Sequence, residues 1–163
     1  MSTRSNIIVR AFGSKEEIQL YRHCDGYPTS VLPSLEIAYR LSGGDWQAGR
    51  VGKAAAFICT AGYSEKTALD DTIKPYTAYE IDPEIGLHGD VEWVYVITLL
   101  NNPKYKNKGD EEILWKVEVF VPMEGFWDDP TFDRLRLIDG GMLGDVTARA
   151  DNLELRKWNN ESK

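Results

Sequence analysis

The chain of 163 residues lacks most of the features that would place it in a specialised class. Cysteine occurs twice, at Cys24 and Cys59, and neither belongs to a Cys-x-x-Cys pair, which leaves out zinc-finger and thioredoxin-like frameworks and a disulfide-stapled scaffold. Two reduced thiols in a cytosolic protein are the reading this usage favours. Long apolar runs are missing as well: the longest, Val94 to Leu100, falls far short of the ~20 residues of a membrane-spanning helix. Met1 to Asn6 leads into no apolar signal core, so the expectation is a soluble protein of the cytoplasm. Basic residues are in deficit. Nineteen Lys and Arg against 26 Asp and Glu give a net charge of −7, which repels phosphate backbones and disfavours direct binding to nucleic acid or an anionic membrane. The same sign suits a protein partner with a basic surface.

No segment repeats at a fixed period and no Pro- or Gly/Ser-rich linker divides the chain. At about 150 residues per domain, the expectation is a single domain over 1–163, with frayed ends near 1–5 and 159–163. An apolar share of 42% with 28% charged residues suits a globular protein with one buried core.

Short β-branched and aromatic runs at Asn6 to Phe12 and Glu17 to His23, separated by Gly13 to Glu16, predict an opening antiparallel hairpin. The turn Asp25-Gly26-Tyr27-Pro28 follows, with Thr29 and Ser30 as candidate caps of a helix that Gly43-Gly44 ends. A second helix is expected from Asp45 to Gly62. Strands are then predicted at Tyr76 to Ile81, Asp90 to Leu100 and Glu112 to Val121. Asp90 to Leu100, apolar on both faces beyond Glu92, should be central, whereas in the following strand Ile113, Trp115, Val117, Val119 and Val121 alternate with a more polar face. A strand at Arg134 to Ile138 and a helix at Asp145 to Trp158 complete the pattern. The order predicts an α+β fold: a largely antiparallel sheet with two or three helices packed on one face.

The candidates for chemistry are few. The two histidines stand in the phrases His23-Cys24-Asp25 and His88-Gly89-Asp90, each at the edge of a predicted strand where side chains two apart share a face. If the two strand ends meet, His23, Asp25, His88 and Asp90, joined by Glu92, offer nitrogen and oxygen ligands for a divalent metal. The competing reading is structural, since Asp25 and Asp90 flank glycines and suit turns, and a strand-end histidine can satisfy a carbonyl. No cofactor is called for outside the metal alternative. Gly140 to Gly144 lacks the Lys-Ser/Thr of a phosphate loop and reads as a plain turn. Trp93 and Trp115 read as core. Trp127, with Asp128 and Asp129 in the loop Gly125 to Pro130, is harder to explain by packing and is the candidate partner-binding residue.

The segments Tyr21-Arg-His-Cys-Asp-Gly-Tyr-Pro28 and Leu87-His-Gly-Asp-Val-Glu-Trp-Val-Tyr-Val-Ile97 resemble a group of small uncharacterised proteins of phages, prophages and bacterial mobile elements, over roughly residues 6 to 100. The resemblance implies a phage or bacterial cytosol and no particular activity. With the charge balance and the weak catalytic signal, it points to a non-enzymatic accessory protein acting by protein binding, in the manner of an inhibitor of a host defence or nucleic-acid-handling complex. The alternative is a metal-dependent hydrolase built on the two His-x-Asp phrases.

Overall fold

The computed structural model describes residues 3–67, 77–84, 86–101 and 112–161, the side chains of 64–67 and 158–161 excepted. The strands are β1 (Ser5–Ala11), β2 (Glu17–Arg22), β3 (Tyr79–Ile81), β4 (Trp93–Asn101), β5 (Ile113–Pro122) and β6 (Leu135–Met142). They form one six-stranded sheet in the order β3-β2-β1-β4-β5-β6. Every neighbouring pair is antiparallel except β1 and β4, which run parallel from Ser5↔Trp93 to Ala11↔Leu99. The helices are α1 (Pro28–Ser42), α2 (Val51–Thr67), α3 (Leu143–Ala148) and α4 (Ala150–Glu161). This is the expected α+β architecture. No helix among the described residues is long and apolar enough to cross a membrane.

The two faces of the sheet are closed differently. Ile7, Val9, Tyr95, Ile97, Trp115 and Val117 meet Leu32, Leu35, Ile58, Val146 and Leu153 in one apolar cluster to which all four helices contribute. On the other face Ile8, Tyr21, Val94 and Val96 meet Leu87, Val91, Phe126 and Leu135, which come from the connections 82–92 and 123–134 and the start of β6. Period-two alternation makes this division: β4, flanked by β1 and β5, is buried on both faces, whereas β5 turns Trp115 and Val117 inward and leaves Lys116 exposed. The expectations of a central β4 and a half-buried β5 both hold.

The helix boundaries differ from the sequence reading for local reasons. The cap of α1 is Tyr27, which makes no side-chain cap bond, and Pro28 opens the helix, where its missing N–H and fixed φ are an advantage. Thr29 does not cap. Its amide and hydroxyl instead donate to Glu154 Oε1 of α4, at 3.1 and 2.7 Å, which places a carboxylate at the positive end of α1 and ties the two helices together. Gly43, at φ 77°, ends α1 in the left-handed conformation that glycine reaches without strain. Asp45 caps only a short 3₁₀ turn, accepting from the Gln47 amide at 2.9 Å, and α2 starts at Val51. Gly62 does not end α2, which continues to Thr67. Its role is close packing, since a Cβ there would stand 2.6 Å from Tyr79 Cδ2.

The last strand extends through Gly140 and Gly141, so the segment read as a plain turn is a strand-to-helix junction. The single C-terminal helix is broken at Arg149 into α3 and α4. Arg149 grips Asp139 through two hydrogen bonds, at 2.9 and 3.2 Å, and so ties the break to β6. Burial would raise the Asp139 carboxyl, but the bonds from Arg149 and the Gly140 amide outweigh it and hold the group below its ordinary range. Secondary structure includes Ser5 and continues through residue 161, inside the ends expected to fray. Residue 76 of the predicted third strand lies outside the described residues.

Candidate functional site

The two histidines come together around one tyrosine. Tyr21 projects from β2 onto the loop-covered face. The His88 ring stacks on it with centroids 4.3 Å apart and planes at 28°, and the His23 ring, two residues further along, stands 6.2 Å away. The Tyr21 hydroxyl donates to Asp90 Oδ2 at 3.2 Å. Burial, and then the negative charge of Asp90, push the Tyr21 hydroxyl up to about 12. Arg4 links the group from the other side, with Nε 3.4 Å from both His23 Nδ1 and Asp90 Oδ2.

The other two candidate ligands are held elsewhere. Asp25 adopts φ 56° in the turn before α1 and accepts from the Tyr27 hydroxyl at 3.3 Å. Its position is fixed by the turn, because Gly26 donates to Thr3 O and accepts from Tyr95, both at 2.8 Å. Glu92 pairs with Lys157 of α4 at 3.8 Å. The structure therefore brings His23, His88 and Asp90 around Tyr21 and takes Asp25 and Glu92 to the opening and closing helices.

His88 has acidic neighbours that the sequence reading did not single out. Its Nε2 lies 2.8 Å from Asp82 Oδ2 and 3.6 Å from Glu84 Oε2. The Asp82 contact is close enough for an ion pair, yet Nε2 has no hydrogen-bond partner in line with it, and water does not reach it. Asp82 is also gripped by the side-chain amides of Gln19 at 2.7 Å and Asn6 at 3.1 Å, and by the Glu84 backbone N–H at 3.0 Å. Burial alone would raise its carboxyl. The bonds from Gln19 and the Glu84 amide, with the His88 ring close beside it, reverse this and hold it below the ordinary carboxylate range. Asn6 serves the connection once more, accepting from the His88 amide, and it also donates to Leu20 O of β2.

Asn6 and Gln19 were missed because a polar residue inside a predicted strand carries no sign of what it faces. Asp82, Glu84 and His88 had a legible signal, since three ligating residue types occur within a short span after a predicted strand.

The second candidate, Trp127, stands in the connection between β5 and β6. This loop is closed by Met123 N donating to Arg134 O at 2.8 Å and is crossed by turns in which Gly125 O accepts from the Asp128 and Asp129 amides. Phe126 is fully buried under it, whereas Trp127 is 55% exposed. Phe132 and Met123 of the same loop and Leu137 of β6 are exposed too. Phe132 meets Phe120 edge-on at 6.0 Å, and Phe120 is the register partner of Leu137. Asp129 is neutralised by Arg134 at 3.4 Å. Glu124, Asp128 and Asp133 are exposed and have no charged partner among the described residues.

The two candidates touch. A Cβ on Gly89 would lie 3.4 Å from Trp127 O and 3.9 Å from Pro130 Cγ, so the connection carrying His88 packs directly on the Trp127 loop. A groove of about 360 Å³ between α1 and the end of β6, lined by Tyr39, Leu114, Trp115, Met142 and Leu143, contains none of these residues. Cys59 is held in α2, where burial pushes its thiol up and away from the reactive thiolate. Comparison with family models, with curated proteins and with solved structures finds no match to this chain.

Proposed function

We propose that the protein acts by stoichiometric binding to a protein partner with a basic surface, through the acidic loop 123–134 that presents Trp127. The observation that carries this reading is the contrast within two adjacent residues: Phe126 is fully buried and locks the loop, while Trp127 beside it is 55% exposed. An aromatic held on an ordered loop has already lost much of the freedom that binding would otherwise remove, and tryptophan is prominent among residues that dominate interface energies. The unpaired Glu124, Asp128 and Asp133 supply the charge that steers a basic partner towards it. With the resemblance to phage and mobile-element proteins, the partner class is a bacterial protein whose basic surface serves defence or the handling of nucleic acid.

The hydrolase alternative keeps His23, His88 and Asp90 near one another. It ranks second because Asp25 and Glu92, two of its five proposed ligands, are engaged with Tyr27 and Lys157.

The deciding experiment is capture from bacterial lysate on the immobilised chain, followed by salt elution and repeated with Trp127→Ala and with Asp128→Asn/Asp129→Asn. A stoichiometric partner that is lost with Trp127→Ala and released by salt supports the reading. Equal capture by the parent and by Trp127→Ala overturns it. A metal-dependent turnover abolished by His23→Ala/His88→Ala and untouched by Trp127→Ala would put the hydrolase reading in its place.

A further inference from the structure

We propose that Asp82, Glu84 and His88 form a binding site for a divalent transition-metal ion of the zinc type, independently of the docking reading above. The three side chains leave one short connection after β3, and one ligand atom from each lies within 4.8 Å of the others. Bonds of about 2.0–2.2 Å to a tetrahedral ion hold neighbouring ligand atoms roughly 3.4 Å apart. The separations from His88 Nε2, 2.8 Å to Asp82 and 3.6 Å to Glu84, bracket that distance. Small side-chain adjustments therefore suffice to close the site.

A separate observation concerns the histidine. Its Nε2 is shielded from water and has no aligned hydrogen-bond partner, although an acidic oxygen stands close by. Coordination to a cation gives this shielded nitrogen an aligned partner, which the Asp82 oxygen at 2.8 Å does not. An imidazole with two carboxylates suits zinc and its neighbours among the transition metals better than magnesium or calcium, which prefer oxygen alone.

The surroundings hold the ligands in advance of any ion. Gln19 and Asn6 orient Asp82, and Gln19 also donates to Gly86 O at 2.7 Å. Asn6 fixes the His88 backbone, and the Tyr21 ring holds the imidazole plane. Outer contacts of this kind set the orientation of metal ligands and contribute to affinity. Glu84 is exposed and completes the set from the solvent side. A depression of about 350 Å³ lined by Gln19, Ile81, Asp82, Glu84 and Gly86 opens onto the two carboxylates. The two carboxylates carry a charge of −2, which a divalent ion balances.

The test is titration of the metal-stripped full chain with Zn²⁺ by calorimetry, with Co²⁺ absorbance as a second readout and circular dichroism to verify folding of each variant. The expected result is one ion per chain and a Co²⁺ d–d band. His88→Gln and Glu84→Gln should each weaken binding by at least about tenfold, and Gln19→Ala, which removes an outer contact, by about 10–100-fold. His23→Gln/Cys24→Ser should leave binding unchanged. Absence of saturable Zn²⁺ binding overturns the proposal. So does retention of full affinity by folded His88→Gln and Glu84→Gln, or loss of binding in His23→Gln/Cys24→Ser alone, since either would place the ion elsewhere.

Discussion

On the helix side of the sheet, apolar side chains from all four helices interlock with the strands, and the few polar atoms are spent locally, as where Trp115 Nε1 donates to Ala48 O at 2.9 Å. On the loop side the apolar cluster is smaller and is bordered by Asn6, Gln19, Asp82, His88 and Asp90, joined by hydrogen bonds and ring stacking. The exposed Trp127 belongs to this side as well. The difference is one of materials. Helices bring a ready apolar stripe and close a face by area alone, whereas connections expose backbone and polar side chains that must be satisfied individually. The chemically versatile residues therefore collect where the cover is made of loops.

The largest effect that separates the two sides should come from paired truncations. Trp115→Ala removes a side chain that is 2% exposed and that meets the Tyr39 ring at 5.4 Å, and should cost about 3–5 kcal/mol in denaturant unfolding. Phe126→Ala on the loop side should cost less, about 2–3 kcal/mol, because the loop can open without the rest of the sheet. Its distinguishing mark is faster amide exchange confined to 123–134. Equal global losses without local exchange would mean that the two sides unfold as one unit.

Next in size is acid sensitivity. Asp82 has a lowered folded-state pKa, so the stability it contributes is present above its unfolded value of 3.8 and is lost as pH falls through the folded value. Asp139 adds to stability in the same direction. Asp82→Asn should lower stability at neutral pH by about 1–2 kcal/mol, for the weakened grip on Gln19, Asn6 and the Glu84 amide, and should flatten the loss below pH ~4. Melting curves of parent and variant across acid pH check this. Parallel pH profiles would assign the acid limb to other carboxylates.

The smallest stability effect belongs to Trp127→Ala, about 1 kcal/mol or less, since the ring is 55% exposed. Thermal melts measure it. A loss as large as that of Phe126→Ala would make Trp127 part of the packing and remove the contrast on which the proposed docking role rests.

The helix side was largely legible in the sequence. Alternation in Ile113 to Val121 identified the buried face of β5, and the double-sided apolar run placed β4 at the centre, because burial leaves a periodic trace. The loop side was legible only in part. His23, His88 and Asp90 were found and do meet around Tyr21, but Asp25 and Glu92 were grouped with them by spacing along the chain. Asp25 is carried away by the turn that starts α1, and Glu92 by its pairing with Lys157. Asn6 and Gln19 left no trace at all: their importance lies in three-dimensional partners many residues distant, as in the Asn6–Asp82 bond across a separation of 76 residues.

The parallel pairing of β1 with β4 also governs how the molecule assembles in time. Arg10 and Thr98, bonded side chain to side chain, are 88 residues apart, while the β1–β2 hairpin beside them closes over a short turn. Hairpins form in roughly 1–10 μs, but joining strands this far apart first requires closing a long loop, which moves such topologies towards roughly milliseconds to seconds. Without that pairing the hairpin β1–β2 and the strands β4–β5–β6 each present an unpaired inner edge. The edges that lie at the centre of the finished sheet are thus open in any state in which the two pieces have not joined, and unpaired edges of that kind favour aggregation.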